Sequence, residues 1–284
     1  MRFERAAIAG VGLIGGSLAL AARAAGLIGE VVGLGRSQAN LDVALRRGIV
    51  DRVARDAADI GRVDLVVLAV PVRSTRATAA ALLPHLAPGT VLTDVGSVKG
   101  EVVDAMQALL PSDRPFVGGH PIAGGERAGA AVADAALFRG ARCILTPTAH
   151  TDVGALRRVR ALWEGVGARV EEMSPAAHDR ALAWTSHAVH ALAYALVRAL
   201  DATDPTLLAQ GGPSLREATR IAASPAELWR DIFLANAAPL DEAIGGILRE
   251  LERVRAAVAA GDAAALEALL AAAVAAKRRG EGER

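Results

Sequence analysis

The chain is poor in cysteine and in aromatic residues. Of 284 residues one is cysteine, Cys143, and 3% are Phe, Trp or Tyr. A single thiol excludes an internal disulfide framework and a cysteine-built zinc site. So few aromatic rings leave no stacking platform for single-stranded nucleic acid. An excess of one charge is missing too. The 32 basic side chains face 31 acidic ones, for a net charge of +1, so nothing calls for nucleic acid or an anionic membrane as a partner. No apolar run reaches the ~18–20 residues of a membrane helix. The Ala-rich stretch 256–276 comes nearest, and Gly261, Asp262 and Glu267 break it. The first twenty residues are apolar but punctuated by glycines, unlike the unbroken core of a secretory signal. The expectation is a cytoplasmic protein without a membrane anchor. No repeat of fixed period is present.

What is there suits a globular chain with ample core: 52% of residues are hydrophobic and 22% charged, which excludes disorder. At roughly 100–200 residues per domain, the length suggests two domains. The first half alternates apolar runs with helical patterns. Strands are expected at 3–9, 30–34, 64–70, 91–94, 116–118 and 143–146, with helices at 17–25, 39–47, 74–86 and 99–110 between them. The continuous apolar run at 64–70 fits a strand buried on both faces of a parallel sheet. Such alternation predicts a doubly wound α/β sheet of the Rossmann type. From His178 onward strand signals vanish and strong helix formers dominate. The expected division is a dinucleotide-binding domain at 1–174 and an all-α domain at 175–284.

Five motifs carry chemistry. Gly10, Gly12 and Gly15 form G-x-G-x-x-G between the first strand and first helix. There Gly10 permits the tight turn, Gly12 lets a pyrophosphate approach and Gly15 lets helix pack on strand. Leu13 and Ile14 inside the motif, Val70 at the end of the 64–70 strand and Asp94 at the end of the 91–94 strand complete the cofactor-binding set. Where an acid normally holds the ribose 2′-OH of NAD, the chain reads Gly35-Arg36-Ser37. Arg36 and Ser37 can receive a 2′-phosphate; alternatively Arg36 stacks on adenine or faces water, and NAD still binds.

Asp94 and Ser97, in T-D-V-G-S-V-K, sit at a strand's carboxyl end, where open α/β sheets bind ligands, or else cap the following helix. His120, in G-G-H-P-I-A-G-G-E with Glu126, lies in a glycine-rich loop that a ligand can approach closely. His187 and His190 share a helical face, either as a ligand-facing pair or as hydrogen-bonded core residues. A metal pair lacks suitably spaced carboxylates. Arg220, before Ser224 and Trp229, can fork onto a carboxylate or lie on a solvated helix face.

In this order the motifs G-x-G-L-I-G-G-S, T-D-V-G-S-V-K, G-G-H-P-I-A-G-G-E, H-D…S-H-x-x-H and T-R-I-A-A-S…W resemble the prephenate/arogenate dehydrogenase family of tyrosine biosynthesis, from residue 8 to about 236. The resemblance implies a Rossmann domain followed by a helical dimerisation domain. It also implies NAD- or NADP-dependent oxidative decarboxylation of prephenate or arogenate by a homodimer. His120 matches the acceptor of the ring 4-hydroxyl proton, and Ser97 the serine that hydrogen-bonds that histidine or the hydroxyl. Glu126, His187 and His190 match pocket residues. Arg220 matches a carboxylate binder, and Trp229 a tryptophan near the dimer interface. No metal is required. Two departures stand out: Leu215-Arg216-Glu217 where family members often read F-R-D, and Ala223-Ser224-Pro225 for A-S-D-P. Two other classes remain. A non-catalytic NAD(P) sensor on the same fold would not need these residues together. A β-hydroxyacid dehydrogenase would use a helical-domain lysine, and none lies between His178 and Trp229.

Overall fold

The computed structural model describes residues 2–125 and 127–282. Six parallel strands form the first sheet, in the order β3-β2-β1-β4-β5-β6. They are β1 (Phe3–Ala9), β2 (Ile28–Leu34), β3 (Arg52–Val53), β4 (Leu65–Leu68), β5 (Val91–Asp94) and β6 (Phe116–Val117). The helices α1 (Leu13–Ala24), α2 (Gln38–Arg46), α3 (Thr75–Leu82) and α4 (Gly100–Leu109) connect them. This is the strand order of a dinucleotide-binding fold, with its switch point between β1 and β4.

Both faces of the sheet are buried because alternate side chains serve different cores. Ala6 and Ile8 of β1, with Leu65 and Val67 of β4, join a core that includes α1 residues and Trp163. Ala7 and Ala9, with Val66 and Leu68, join a second core that includes Trp229 and Ile232. Each fully buried Leu, Ile or Val contributes about 1.5–3 kcal/mol.

The expected strand at 116–118 breaks at Gly118. β6 stays in the parallel sheet, while β7 (Gly119–Pro121) turns into a second sheet with β8 (Arg142–Leu145) and β9 (Arg169–Glu172). In that sheet β7 runs antiparallel to β8, placing His120 opposite Ile144. The strand expected at 143–146 therefore belongs to the second sheet. β9 was not expected, since Arg169-Val-Glu-Glu has no apolar alternation. Helix α5 (Val153–Gly165) lies between β8 and β9.

After β9 the chain is helical throughout the described residues. It comprises α6 (Pro175–Leu182), a π-helical turn Ala183–His187, α7 (Ala188–Thr203), α8 (Leu207–Gln210), α9 (Pro213–Thr219), α10 (Ala226–Ala235), α11 (Ala237–Ala260) and α12 (Ala263–Gly282). By packing, one compact unit runs over residues 1–237 and another from 238 onward. The expected boundary at 174 marks the change from mixed to helical structure, while α6 to α10 pack in the first unit. Among the described residues no helix is long and apolar enough to cross a membrane.

Candidate active site

The glycine turn after β1 is shaped for a phosphate. Gly10 has φ +96°, and a Cβ there would lie 2.1 Å from the Ala69 carbonyl oxygen, so only glycine fits. A Cβ on Gly15 would meet the Gly10 carbonyl oxygen at 2.3 Å, whereas among the described residues nothing beyond its own chain neighbours lies within 4 Å of one on Gly12. Gly12 precedes α1, and no side chain caps that helix. The open space over Gly12 and the uncapped N–H groups of the first turn fit a pyrophosphate. Leu13, Ile14 and Val70 are half-buried around the turn. Arg36 is exposed at the end of β2. Ser37 caps α2, its Oγ accepting the Asn40 N–H at 3.3 Å.

Asp94 departs from its expected role. Its side chain is buried and accepts the Lys99 ammonium, the Gly96 N–H at 2.8 Å and the Gly119 N–H at 3.1 Å. The carboxylate read as cofactor-binding is thus committed to partners inside the chain. A buried carboxylate needs such partners, because desolvation penalises its charge.

A cavity of about 680 Å³ is lined by Ser97, His120, Gly124, Gly125, His190, Arg220 and Trp229, with Thr185 and Ser186. It therefore joins the ends of β5 and β7 to the helical segment. Glu126 lies outside the described residues.

His120 is held by its ring. Its Nδ1 lies 2.8 Å from Nε2 of His178, and Nδ1 of His178 lies 2.8 Å from Oδ1 of Asp179. The Asp179 carboxylate only accepts. It also accepts the Lys99 N–H and the Gly100 N–H, each at 2.8 Å. Burial would raise the Asp179 pKa, but these partners, His178 first, pull it below its ordinary value. His178 therefore carries its proton on Nδ1 and offers Nε2 as acceptor. His120 must then donate from Nδ1, which leaves the lone pair on its own Nε2. Burial, with His178, Lys99 and His187 nearby, holds the His120 pKa well below 6.5. The ring is neutral at pH 7, and its unprotonated nitrogen is the one a substrate can use. The partner of Nδ1 is His178, not Ser97.

His187 ends the π-helical turn, and His190 follows it in α7. His187 is 1% exposed and does not line the cavity. It accepts from the Asn236 side-chain amide at 3.0 Å, and the same amide donates to the Asp179 carbonyl at 2.8 Å. Burial lowers its pKa to about 4. His187 thus sits behind the cavity wall, hydrogen-bonded in the core, which is one of the two arrangements expected for the pair. His190 lines the cavity, its ring stacked on Trp229 with centroids 3.4 Å apart and planes at 22°. Its Nδ1 donates to the Ser186 carbonyl at 3.0 Å, leaving Nε2 as an acceptor. Burial and the Arg220 guanidinium hold its pKa below the ordinary value, against the pull of the Ser186 carbonyl. Arg220 itself is exposed at the cavity edge. Among the described residues no group of three or more His, Cys, Asp or Glu is arranged to hold a metal.

His178 and Asp179 were visible as a His-Asp pair in a helical stretch, but their function depends on a contact with His120, 58 residues away. Lys99 gave no local signal beyond its place in T-D-V-G-S-V-K.

Comparison with known proteins agrees with this geometry. Residues 18–172 match the model of the prephenate dehydrogenase nucleotide-binding domain, and residues 174–272 that of the prephenate dehydrogenase dimerization domain. The chain is 37% identical to cyclohexadienyl dehydrogenase of Zymomonas mobilis, over 92% of this chain and 90% of that protein. It is 35% identical to prephenate dehydrogenase of Bacillus subtilis, over 90% of this chain and 70% of that one. Its structure superposes with a TM-score of 0.92 on prephenate dehydrogenase from A. aeolicus, solved with hydroxyphenyl propionate and NAD+, at 36% identity over 99% of both chains. With Synechocystis arogenate dehydrogenase the TM-score is 0.82, at 29% identity, covering 97% of this chain and 99% of that one. A parallel-sheet nucleotide-binding part and a following helical part, each matched in order by its own domain model, show that the chain belongs to the prephenate dehydrogenase family.

Proposed function

We propose that the chain catalyses the NAD(P)-dependent oxidative decarboxylation of prephenate to 4-hydroxyphenylpyruvate, with His120 accepting the proton of the ring 4-hydroxyl. The observation that carries this reading is the His120–His178–Asp179 series, which occupies Nδ1 of His120 and leaves Nε2 as the free nitrogen of a residue that lines the cavity.

Prephenate has two carboxylates and a hydroxyl on C4 of its ring. As His120 takes the hydroxyl proton, the C–H electron pair leaves C4 as hydride. When bound over the Gly10–Gly15 turn, the cofactor supplies the hydride acceptor. The ring carboxylate departs as CO2, and its bonding electrons complete the aromatic ring, which drives the step forward. The proton gained on Nε2 makes His120 an imidazolium, whose Nδ1–H still points to His178. Asp179 then stabilises that charge through the His178 ring, the logic of an oriented acid–base series. Arg220 receives a substrate carboxylate at the cavity edge. Ser97 offers a hydroxyl to the reacting oxygen, and His190, flattened on Trp229, bounds the side-chain end. Arg36 is the candidate reader of a 2′-phosphate.

The functional division falls at residue 174, with the cofactor held before it and the dimer built after it. The domain model matched at 174–272 favours a homodimer. So do the unburied apolar rows Val189, Leu192 and Leu196 on α7 and Leu248, Leu251 and Val258 on α11, each side chain 40–61% exposed. Obligate interfaces of this kind bury more than about 2,000 Å². A cytoplasmic location belongs to the same proposal.

The test is steady-state turnover with prephenate and with arogenate, each with NAD+ and NADP+. Prephenate oxidation coupled to CO2 release is expected. Turnover of arogenate alone would shift the reading to arogenate dehydrogenase, and turnover of neither would overturn it.

A further inference from the structure

Lys99 is 0% exposed, yet its ammonium is far from solvent and from any surface role. The chain has 32 basic residues, of which thirty are arginine and two are lysine, Lys99 and Lys277. In so arginine-rich a chain, a wholly buried lysine marks a place that needs a compact charge with three donors rather than a planar fork.

Its contacts surround the catalytic base. Nζ of Lys99 pairs with Asp94 and donates to the Gly119 carbonyl at 2.8 Å. The other Asp94 oxygen accepts the Gly119 N–H at 3.1 Å. Both backbone polar groups of the residue preceding His120 are thus held by one ion pair. On the opposite side, the Lys99 N–H donates to Asp179, which holds His178, which holds the His120 ring. One residue therefore closes a ring of hydrogen bonds: Lys99 Nζ, Gly119, His120, His178, Asp179 and back to the Lys99 N–H.

We propose that Lys99, together with Asp94, is the positioning residue that fixes both the backbone and the imidazole of His120, without touching substrate. The proposal rests on the reading of His120 as the base. It also gives the buried cation a second effect, because a positive charge at this site disfavours an imidazolium. The titratable and charged groups facing His120 are His178 and Asp179 on α6, His187 in the π turn, Lys99 and Asp94 from the β5 side and Cys143 on β8. Arg142, His190 and Arg220 line the same cavity. The Cys143 thiol is pushed up by burial and stays neutral. Burial lowers the Lys99 pKa, and the Asp94 carboxylate beside it opposes that shift.

Two variants test this. Lys99→Met removes the donors and the charge but leaves Asp94 buried and partly uncompensated, which endangers folding. Asp94→Asn/Lys99→Met removes the ion pair as a unit, so that no charge is stranded. Each is compared with wild type and His120→Asn for kcat, for KM of prephenate and NAD+, for thermal midpoint and for the pH dependence of kcat/KM. The expected result for the folded double variant is a kcat lower by about 10²-fold, since small misplacements of a reacting group cost that much. Both KM values should stay near wild type. The acid limb of kcat/KM should move upward toward the ordinary histidine range, as the cation no longer opposes protonation of His120. A double variant with kcat within about threefold of wild type and an unmoved acid limb would overturn the proposal, whatever its thermal midpoint. If His120→Asn also keeps its activity, the reading of His120 as base falls; if His120→Asn is inactive and the double variant is not, only the role of Lys99 falls.

Discussion

Replacing Asp179 by asparagine changes one atom and tests the proton arrangement of the whole site. In the native chain the carboxylate accepts three N–H groups, from His178, Lys99 and Gly100, each at 2.8 Å. Asparagine offers one acceptor oxygen and an NH2 group. If the NH2 faces His178, that ring must accept on Nδ1 and carry its proton on Nε2. It then donates to Nδ1 of His120, whose own proton moves to Nε2, and the lone pair leaves the cavity. Loss of the correct tautomer in an analogous acid–base series costs ~10⁴ in kcat. A fall of roughly 10²–10⁴ is expected here, because part of the population can retain the native tautomer. At least one buried N–H also loses its acceptor, at about 1–3 kcal/mol, and each kcal/mol lowers Tm by roughly 2–4 °C in a unit of this size. The assay is kcat for prephenate at saturating NAD+, below the lowered Tm, with cofactor affinity measured separately. Cofactor binding should be intact. An Asp179→Asn enzyme within threefold of wild-type kcat would refute the tautomer argument.

The other expectations are more local. Arg220→Ala should raise KM for prephenate at least tenfold, since a charge-assisted hydrogen bond contributes roughly 1.5–3 kcal/mol. Arg220→Lys should recover part of that loss, and a fall in Tm with KM unchanged would make Arg220 structural instead. Arg36→Ala should weaken NADP+ and spare NAD+; equal effects on both would remove Arg36 as a reader of the 2′-phosphate. Sedimentation at micromolar concentration should show a dimer, and a stable monomer of 29.1 kDa would contradict the interface assigned to the helical part.

The parallel sheet and the glycine turn were legible in the sequence because both rest on local pattern. Apolar runs stopped by Gly or Pro gave β1, β4 and β5 close to their ends, and the motif geometry fixed the β1–α1 turn. The five motifs also placed Ser97, His120, His190, Arg220 and Trp229, which now line one cavity. What escaped depends on distant pairing or altered periodicity. Gly118 lets β7 leave the main sheet, and only its pairing with β8 reveals that. The π-helical turn Ala183–His187 shifts the helical phase. His187, which ends that turn, is buried, and His190, three residues on in α7, lines the cavity, although the two were expected on one face. Asp94 read as a ligand group because it ends a strand, yet its partner Lys99, five residues on, turns it inward.

The central claim is that His120 is the base, and His120→Asn tests it most directly. Asparagine keeps the size and a hydrogen-bonding capacity but cannot accept the proton at neutral pH. Loss of a general base costs ~10²–10⁴ in rate. The measurement is kcat of His120→Asn with prephenate and saturating NAD+, alongside NAD+ affinity. A fall of at least about a hundredfold with NAD+ affinity unchanged is predicted. A kcat within about threefold of wild type would contradict the account.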